Sequence, residues 1–378
     1  MKITPFMVME ILERAKQLES WGEHIIHLEI GEPDFGTPEP VKEAAMKALN
    51  DGDTSYTHSL GKWKLREDIS HYYKRTYNVD ISPEQVIVTM GSSSAMQLVF
   101  SALLEDGGEV IISNPHYACY PNFIRYTGGI PREVNVYEEN GFKYSPEELS
   151  KMITNRTKAV VLNSPANPTG CVYSREELRE ISKLDCCFVS DEVYHGLNYE
   201  GRDHSILEFT DKAFVINSFS KKYAMTGWRL GYAIAPPDYL RYIQVLQQNL
   251  FISTNSFVQE AGRAALKYCD GYVEDMVKTY NMRRLYLLER LDKMGISTKT
   301  RPTGAFYALA NIKKFSMDSY SLAFEILEKA KIAVTPGVDF GSNGEGYLRI
   351  SYASSIENIA EGMDRLESFF YNKYQAGE

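Results

Sequence analysis

Five short apolar runs, each ending in a polar or glycine-rich turn, constrain the fold of this chain more than any other feature. They are Val86 to Met90, Val110 to Ser113, Ala159 to Leu162, Phe188 to Ser190 and Phe214 to Asn217. Continuous apolar runs without polar alternation mark strands covered on both faces, and the helical segments between them mark parallel crossovers. The pattern predicts an α/β fold, with a mostly parallel sheet covered by helices. Such sheets bind ligands in a crevice beyond the carboxyl ends of their strands. All five runs deliver polar groups there: Gly91-Ser92-Ser93-Ser94, Asn114-Pro115-His116-Tyr117, Asn163 to Gly170, Asp191-Glu192-Val193-Tyr194 and Ser218-Phe219-Ser220-Lys221. One shared crevice explains these polar endings better than five unrelated surface loops do.

The chemistry of the crevice follows from its residue types. A lysine at the end of a buried strand is a nucleophile if burial or a neighbouring cation lowers its pKa. Lys221 and its neighbour Lys222 both stand there, and Arg229 follows in SFSKKYAMTGWRLGY. A planar guanidinium suits phosphate, and Gly91 to Ser94, opening a helix at Ala95, form an anion site of N–H groups and hydroxyls. A lysine able to form an imine beside a phosphate site suggests pyridoxal phosphate, which is bound as a lysine Schiff base.

The motifs carry a resemblance. Ser218-x-Ser220-Lys221 with Gly227-x-Arg229-x-Gly231, the arginine eight residues past the lysine, resembles the signature of class I/II pyridoxal-phosphate aminotransferases. Asn163-x-Pro165-x-Asn167-Pro168-Thr169-Gly170 is a second match, and Gly31-x-Pro33-Asp34-Phe35-x-Thr37-Pro38 a third. Tyr56-Thr57 with Gly61 and Leu65-Arg66 is a fourth. The resemblance runs from Gly31 to Arg349 in the family order.

It implies a role for each matched residue. Lys221 binds the cofactor covalently and then moves a proton. Asp191 pairs with the pyridine nitrogen, while Tyr194 and Asn167 hydrogen-bond the phenolic oxygen. Tyr117 stacks on the ring. Ser92, Ser93, Ser218, Ser220 and Arg229 hold phosphate, with Tyr56 reaching across from the other subunit of a homodimer. Arg349, in the strand-like run Tyr347 to Tyr352, clamps the substrate α-carboxylate with Asn167 and the Gly31 backbone. The family pattern favours Lys221 over Lys222.

The resemblance also implies the architecture: a large domain with a seven-stranded, mostly parallel sheet, and a smaller α+β domain. The expected boundaries are 1–45 for an N-terminal segment packing with the small domain, 46–280 for the cofactor domain and 281–378 for the small domain. In the small domain Ile296 to Thr300, Gly304 to Ala310 and Gly346 to Tyr352 read as strands. Met7 to Ser20 reads as an amphipathic helix, with Met7, Ile11, Ala15 and Leu18 near helical spacing.

The implied reaction moves an amino group from an L-amino acid to a 2-oxo acid such as 2-oxoglutarate. Aspartate is the first donor expected, with aromatic, branched or alanine-type donors behind it. Where aspartate-specific relatives carry Thr or Lys near the phosphate, this chain has Ser93, and the arginine that selects acidic side chains in one subgroup has no counterpart. A lyase on the same scaffold, of the carbon–sulfur or aminocyclopropane-carboxylate synthase kind, is the alternative. A non-enzymatic cofactor sensor is a remote one, since such regulators carry a DNA-binding domain ahead of this one and only a short segment precedes Gly31.

The net charge of −9 argues against nucleic-acid or membrane-surface partners. No apolar run is long enough to span a bilayer, and no signal peptide opens the chain. The five cysteines lack metal-ligand spacing and read as free thiols of a cytoplasmic protein. No metal is expected.

Overall fold

In the computed structural model of the chain, residues 3–375 are described. The main sheet has seven strands: β2 (Val86–Thr89), β3 (Glu109–Asn114), β4 (Ile130–Asn135), β5 (Thr157–Asn163), β6 (Phe188–Asp191), β7 (Ala213–Ser218) and β8 (Gly231–Ile234). Before them comes the short β1 (Ile26–His27). The spatial order is β2-β8-β7-β6-β5-β3-β4, and only β8 runs against its neighbours.

Side chains alternate across the pleat, so each strand feeds two cores. Val86, Val88, Ile111, Val160, Leu162, Phe188 and Val215 pack on one face. Ile87, Val110, Ile112, Ala159, Val161, Val189 and Phe214 pack on the other, against Leu98 and Val99 of the helix Gly91–Leu103. Burial on both faces explains the unbroken apolar runs, and each fully buried Val, Ile or Phe contributes about 1.5–3 kcal/mol.

The winding reverses between β5 and β3. From β3 the chain moves outward to β4, whereas from β5 it moves the other way through β6 to β7. The carboxyl ends of β3 and β5 therefore flank a topological switch point, where an open sheet leaves a crevice.

A second layer holds the three-stranded antiparallel sheet β11 (Thr335–Pro336), β12 (Tyr347–Ser351) and β9 (Tyr307–Asn311), with β12 in the middle. Here β1 pairs in parallel with β10 (Ile332–Ala333), joining the N-terminal segment to this layer. Helix α1 (Met7–Ser20) packs on β11 and on the helix Ser319–Ala330. The helix Asp270–Met294 connects both layers: Val273 lies in a core of the main sheet, and Tyr280 and Leu287 in that of the second. The position between 280 and 281 falls inside this helix.

Three local differences from the sequence expectation have physical reasons. Strand β4 has no strong apolar pattern because it is an edge, mostly exposed, carrying Pro131, Arg132 and Glu133; proline and charge at an edge discourage pairing with other chains. Ile296 to Thr300 forms no strand beyond a bridge from Ser297 to Ala310. Gly295 ends the preceding helix at φ 64°, and the Ile296 N–H closes back onto Leu291 O, so this run begins as a helix cap. The helix expected from Ala95 begins at Gly91, which places Ser92 and Ser93 in its first turn.

Candidate active site

A cavity of about 310 Å³ opens at the switch point, within the size range of small-molecule sites. Ser92, Ser93, Tyr117, Asn167, Asp191, Tyr194, Ser220, Lys221, Arg229, Arg349 and Gly31 line it. Residues spread over most of the chain length thus meet in one place. Two expected residues do not line it. Ser218 caps the short helix after β7: its hydroxyl accepts from Ser220 N at 3.1 Å and donates to Leu230 O at 3.1 Å. Tyr56 is 82% exposed on this chain's surface.

The two lysines part company. Lys221 Nζ points into the cavity and donates to Gly31 O at 2.5 Å. Burial, opposed by Glu32 and reinforced by Arg349 and Arg229, lowers its pKa to about 8. Lys222 turns away and donates to Tyr72 Oη at 3.1 Å. Burial disfavours its charge, but the Tyr223 and Tyr72 phenols outweigh that and hold its pKa above the ordinary value. Only Lys221 offers an amine that is neutral in part near neutral pH.

Asp191 ends β6 and is buried. Its Oδ2 accepts from the Tyr120 hydroxyl at 2.5 Å and its Oδ1 from Val193 N at 3.2 Å. Burial pushes its pKa up to about 6 against those two hydrogen bonds. A carboxylate held this way, with no salt-bridge partner among the described residues, suits a cationic ring nitrogen brought by a ligand.

The same cavity holds an anion cradle. Ser92 and Ser93 sit in the first turn of a thirteen-residue helix, whose free N–H groups attract negative charge. Arg229 adopts φ 52° and donates to Thr226 O at 2.8 Å. Its Nη2 would lie 2.5 Å from a Cβ at Gly91, itself at φ 79°, so only glycine lets the guanidinium lie against the helix start.

Arg349 lies on the central strand β12, 3% exposed. Its Nη1 donates to Asn167 Oδ1 at 3.0 Å and its Nη2 to Glu29 O and to Thr335 Oγ1, the latter at 3.1 Å. Its Nε is buried without a partner. Such an orphan donor is costly unless a ligand satisfies it, and a carboxylate meets the guanidinium fork in two parallel bonds.

Together, a pKa-lowered amine, a buried carboxylate, an anion cradle and a buried arginine with one unsatisfied N–H fit pyridoxal phosphate and a carboxylate substrate. Two tyrosines escaped the sequence reading. Tyr120 reaches Asp191, and the available signal is its place a few residues past the end of β3, at the first position of the helix Tyr120–Tyr126. Tyr307 hydrogen-bonds Tyr194 through their hydroxyls at 2.8 Å and lines the cavity; nothing in its sequence surroundings singled it out. The sequence of α1 shows an ordinary amphipathic helix, yet its N-cap Phe6 and its residues Val8, Met9 and Leu12 form one wall of the cavity.

Fold and site define an α/β protein with a cavity fitted to pyridoxal phosphate at the switch point of its sheet, and comparison with known proteins gives the family. Residues 23–366 match the family model described as aminotransferase class I and II. A (5-formylfuran-3-yl)methyl phosphate transaminase of Methanocaldococcus jannaschii is 43% identical, with 96% of each chain covered. The aspartate aminotransferase of Thermus thermophilus, solved with maleate, superposes with a TM-score of 0.93 at 37% identity, covering 97% of each chain. A Methanococcus jannaschii structure, described as similar in its active site to kynurenine aminotransferases, gives a TM-score of 0.89 at 42% identity, again over 97% of each chain. The chain belongs to the class I and II aminotransferases. It is a pyridoxal-phosphate-dependent transaminase, working on an amino acid and a 2-oxo acid. Among the described residues no helix is long and apolar enough to cross a membrane.

Proposed function

We propose that the preferred amino donor carries a large apolar or aromatic side chain. The observation that carries this is the wall of the cavity, built from Phe6, Val8, Met9, Leu12, Ile30 and Met96. Each buried methylene contributes about 0.8 kcal/mol, so a large apolar side chain gains about tenfold or more in affinity over alanine. An acidic side chain needs a cation instead. Among the described residues the cations lining the cavity are Lys221, Arg229 and Arg349, and each has another task. Aspartate, the first expectation from sequence, therefore ranks below aromatic and branched donors.

The cofactor supplies an aldehyde carbon for the amine and an electron sink for the bond electrons at Cα. In this reading the chain's residues do the rest. Lys221 is the covalent anchor and carries the proton to and from Cα as general base and acid. Asp191 keeps the ring nitrogen protonated, and Tyr120 keeps Asp191 charged. Tyr194 and Asn167 hold the phenolic oxygen, Tyr117 covers the ring, and Ser92, Ser93, Ser220 and Arg229 hold phosphate, with Ser218 behind Ser220. Arg349, Asn167 and the Gly31 backbone orient the α-carboxylate.

The working unit in this reading is a cytoplasmic homodimer, with the exposed Tyr56 reaching the phosphate of the second copy. Residues 1–45 and 281–378 act as one small domain against the large domain 46–280; the pairing of β1 with β10 supports this grouping.

The test is the visible spectrum of the holoenzyme during titration with single amino acids and no oxo acid. Phenylalanine, tyrosine or leucine should discharge the band at concentrations at least about tenfold below alanine and aspartate. Pyruvate or 2-oxoglutarate should restore it. Half-saturation by aspartate below that of the apolar donors would refute the donor assignment.

A further inference from the structure

The wall of α1 depends on a residue that does not itself line the cavity. Asp339 lies in the turn Gly337–Phe340, and its side chain is buried. Its Oδ1 accepts from Met7 N at 3.0 Å and its Oδ2 from Val8 N at 3.3 Å. These are the first two N–H groups of α1, whose own N-cap residue, Phe6, makes no side-chain cap. The opening N–H groups of a helix have no partner within it, and a carboxylate there is favoured by the helix dipole as well as by the hydrogen bonds. Asp339 thus caps α1 from more than three hundred residues away.

The same turn touches the other sides of the cavity. Phe340 packs its ring 5.0 Å from the Arg349 guanidinium, and its carbonyl accepts from His116 N at 2.9 Å. His116 precedes Tyr117, whose ring meets that of Phe6 edge-on with centroids 6.3 Å apart. Phe6 leads back into the turn of α1 held by Asp339. The contacts close a circuit, in which Phe6, Val8 and Tyr117 line the cavity. Beyond it, Asn343 N donates to Asn114 Oδ1 at 2.9 Å and fastens the loop to the end of β3.

We propose that Asp339 is a positioning residue for donor selection: its carboxylate latches the first turn of α1 in place as the apolar wall of the substrate cavity. It touches neither cofactor nor substrate, and it acts through Phe6, Val8 and Met9. The selective part rests on the donor reading above; the latch itself rests on the capping geometry alone.

Asp339→Asn and Asp339→Ala test it in the holoenzyme, with two readouts. Amide hydrogen exchange across residues 6–12 reports the latch directly. It should speed up by about tenfold or more in Asp339→Ala, and less in Asp339→Asn, which keeps one acceptor oxygen. Steady-state kinetics report selection. Asp339→Ala should lower kcat/KM for phenylalanine by about 10- to 30-fold through KM, while kcat/KM for alanine, which does not reach the wall, changes less than about threefold. The visible cofactor band should be unchanged, which separates this effect from misfolding. Phe6→Ala removes part of the wall itself, and combining it with Asp339→Ala should add little.

Unchanged exchange over residues 6–12 would overturn the latch. Faster exchange with equal losses for phenylalanine and alanine would overturn its role in selection. A wild-type enzyme with no apolar preference defeats the donor reading instead, and the latch then stands or falls on exchange alone.

Discussion

The hydroxyl of Tyr120 donates to Oδ2 of Asp191 at 2.5 Å, from a helix that follows β3 to a carboxylate at the end of β6. The bond stabilises the charged form of a group that burial pushes toward neutrality. A hydrogen bond to a charged group is worth about 1.5–3 kcal/mol, so Tyr120→Phe should lower kcat/KM by about 10- to 100-fold. Steady-state rates, together with the pH dependence of the visible band, check this. A variant within twofold of wild type would leave Asp191 charged without help from Tyr120.

Asp191 should also make the cofactor-free protein less stable as pH rises. Its folded pKa, about 6, lies above the ordinary 3.8. A group raised in this way contributes stability that is present below its unfolded pKa and lost as pH climbs through the folded value. The rise amounts to about 3 kcal/mol for this buried carboxyl. Asp191→Asn, neutral throughout, escapes the loss. Cofactor-free Asp191→Asn should gain on cofactor-free wild type between pH 4 and pH 7, and little further above it. Thermal unfolding of both proteins over that range measures the gain, and parallel curves would contradict the shift.

Lys221, with a pKa of about 8, should govern how fast the cofactor is captured. The neutral amine is the nucleophile, and about a tenth of Lys221 is neutral at pH 7, against about nine tenths at pH 9. Stopped-flow recombination of cofactor-free protein with pyridoxal phosphate should therefore accelerate by about tenfold over that interval. Lys221→Ala should lose the visible band of the lysine-bound cofactor and more than about 100-fold in kcat. Lys222→Ala should keep the band, because Lys222 faces Tyr72 rather than the cavity.

Gly31 is fixed by a neighbour from the second layer. A Cβ at Gly31 would lie 1.9 Å from the Tyr307 hydroxyl oxygen and 3.0 Å from the ring carbon that bears it. Gly31→Ala should displace the loop whose carbonyl holds Lys221, raising KM for amino donors by about tenfold or more. Tyr307→Phe removes the nearer contact, so the double variant should recover part of the loss. Additive effects in the double-mutant cycle would show that the two residues do not meet as described.

Much of the site was legible in the chain, for a local reason. The polar group at the end of each buried strand follows its apolar run within a few residues, so β-pattern and chemistry can be read together at Ser92, Asn167, Asp191 and Lys221. Strand direction was not legible: the run Gly231–Ile234 looks the same whether it lies parallel or, as in β8, antiparallel. The edge strand β4 escaped because one side of it has no neighbouring strand, and its exposed residues carry no apolar pattern.

The sequence by itself determined the parallel α/β sheet, the crevice at its carboxyl edge and the residue types set around it, because these depend on the pleat and on turn chemistry, both short-range. Tertiary structure alone decided that Tyr120 reaches Asp191, that Tyr307 excludes a side chain at Gly31, and that Asp339 caps α1. Each of these is a contact of one or two atoms between segments remote in sequence. Such contacts arise when packed layers meet, and they leave no periodic trace along the chain.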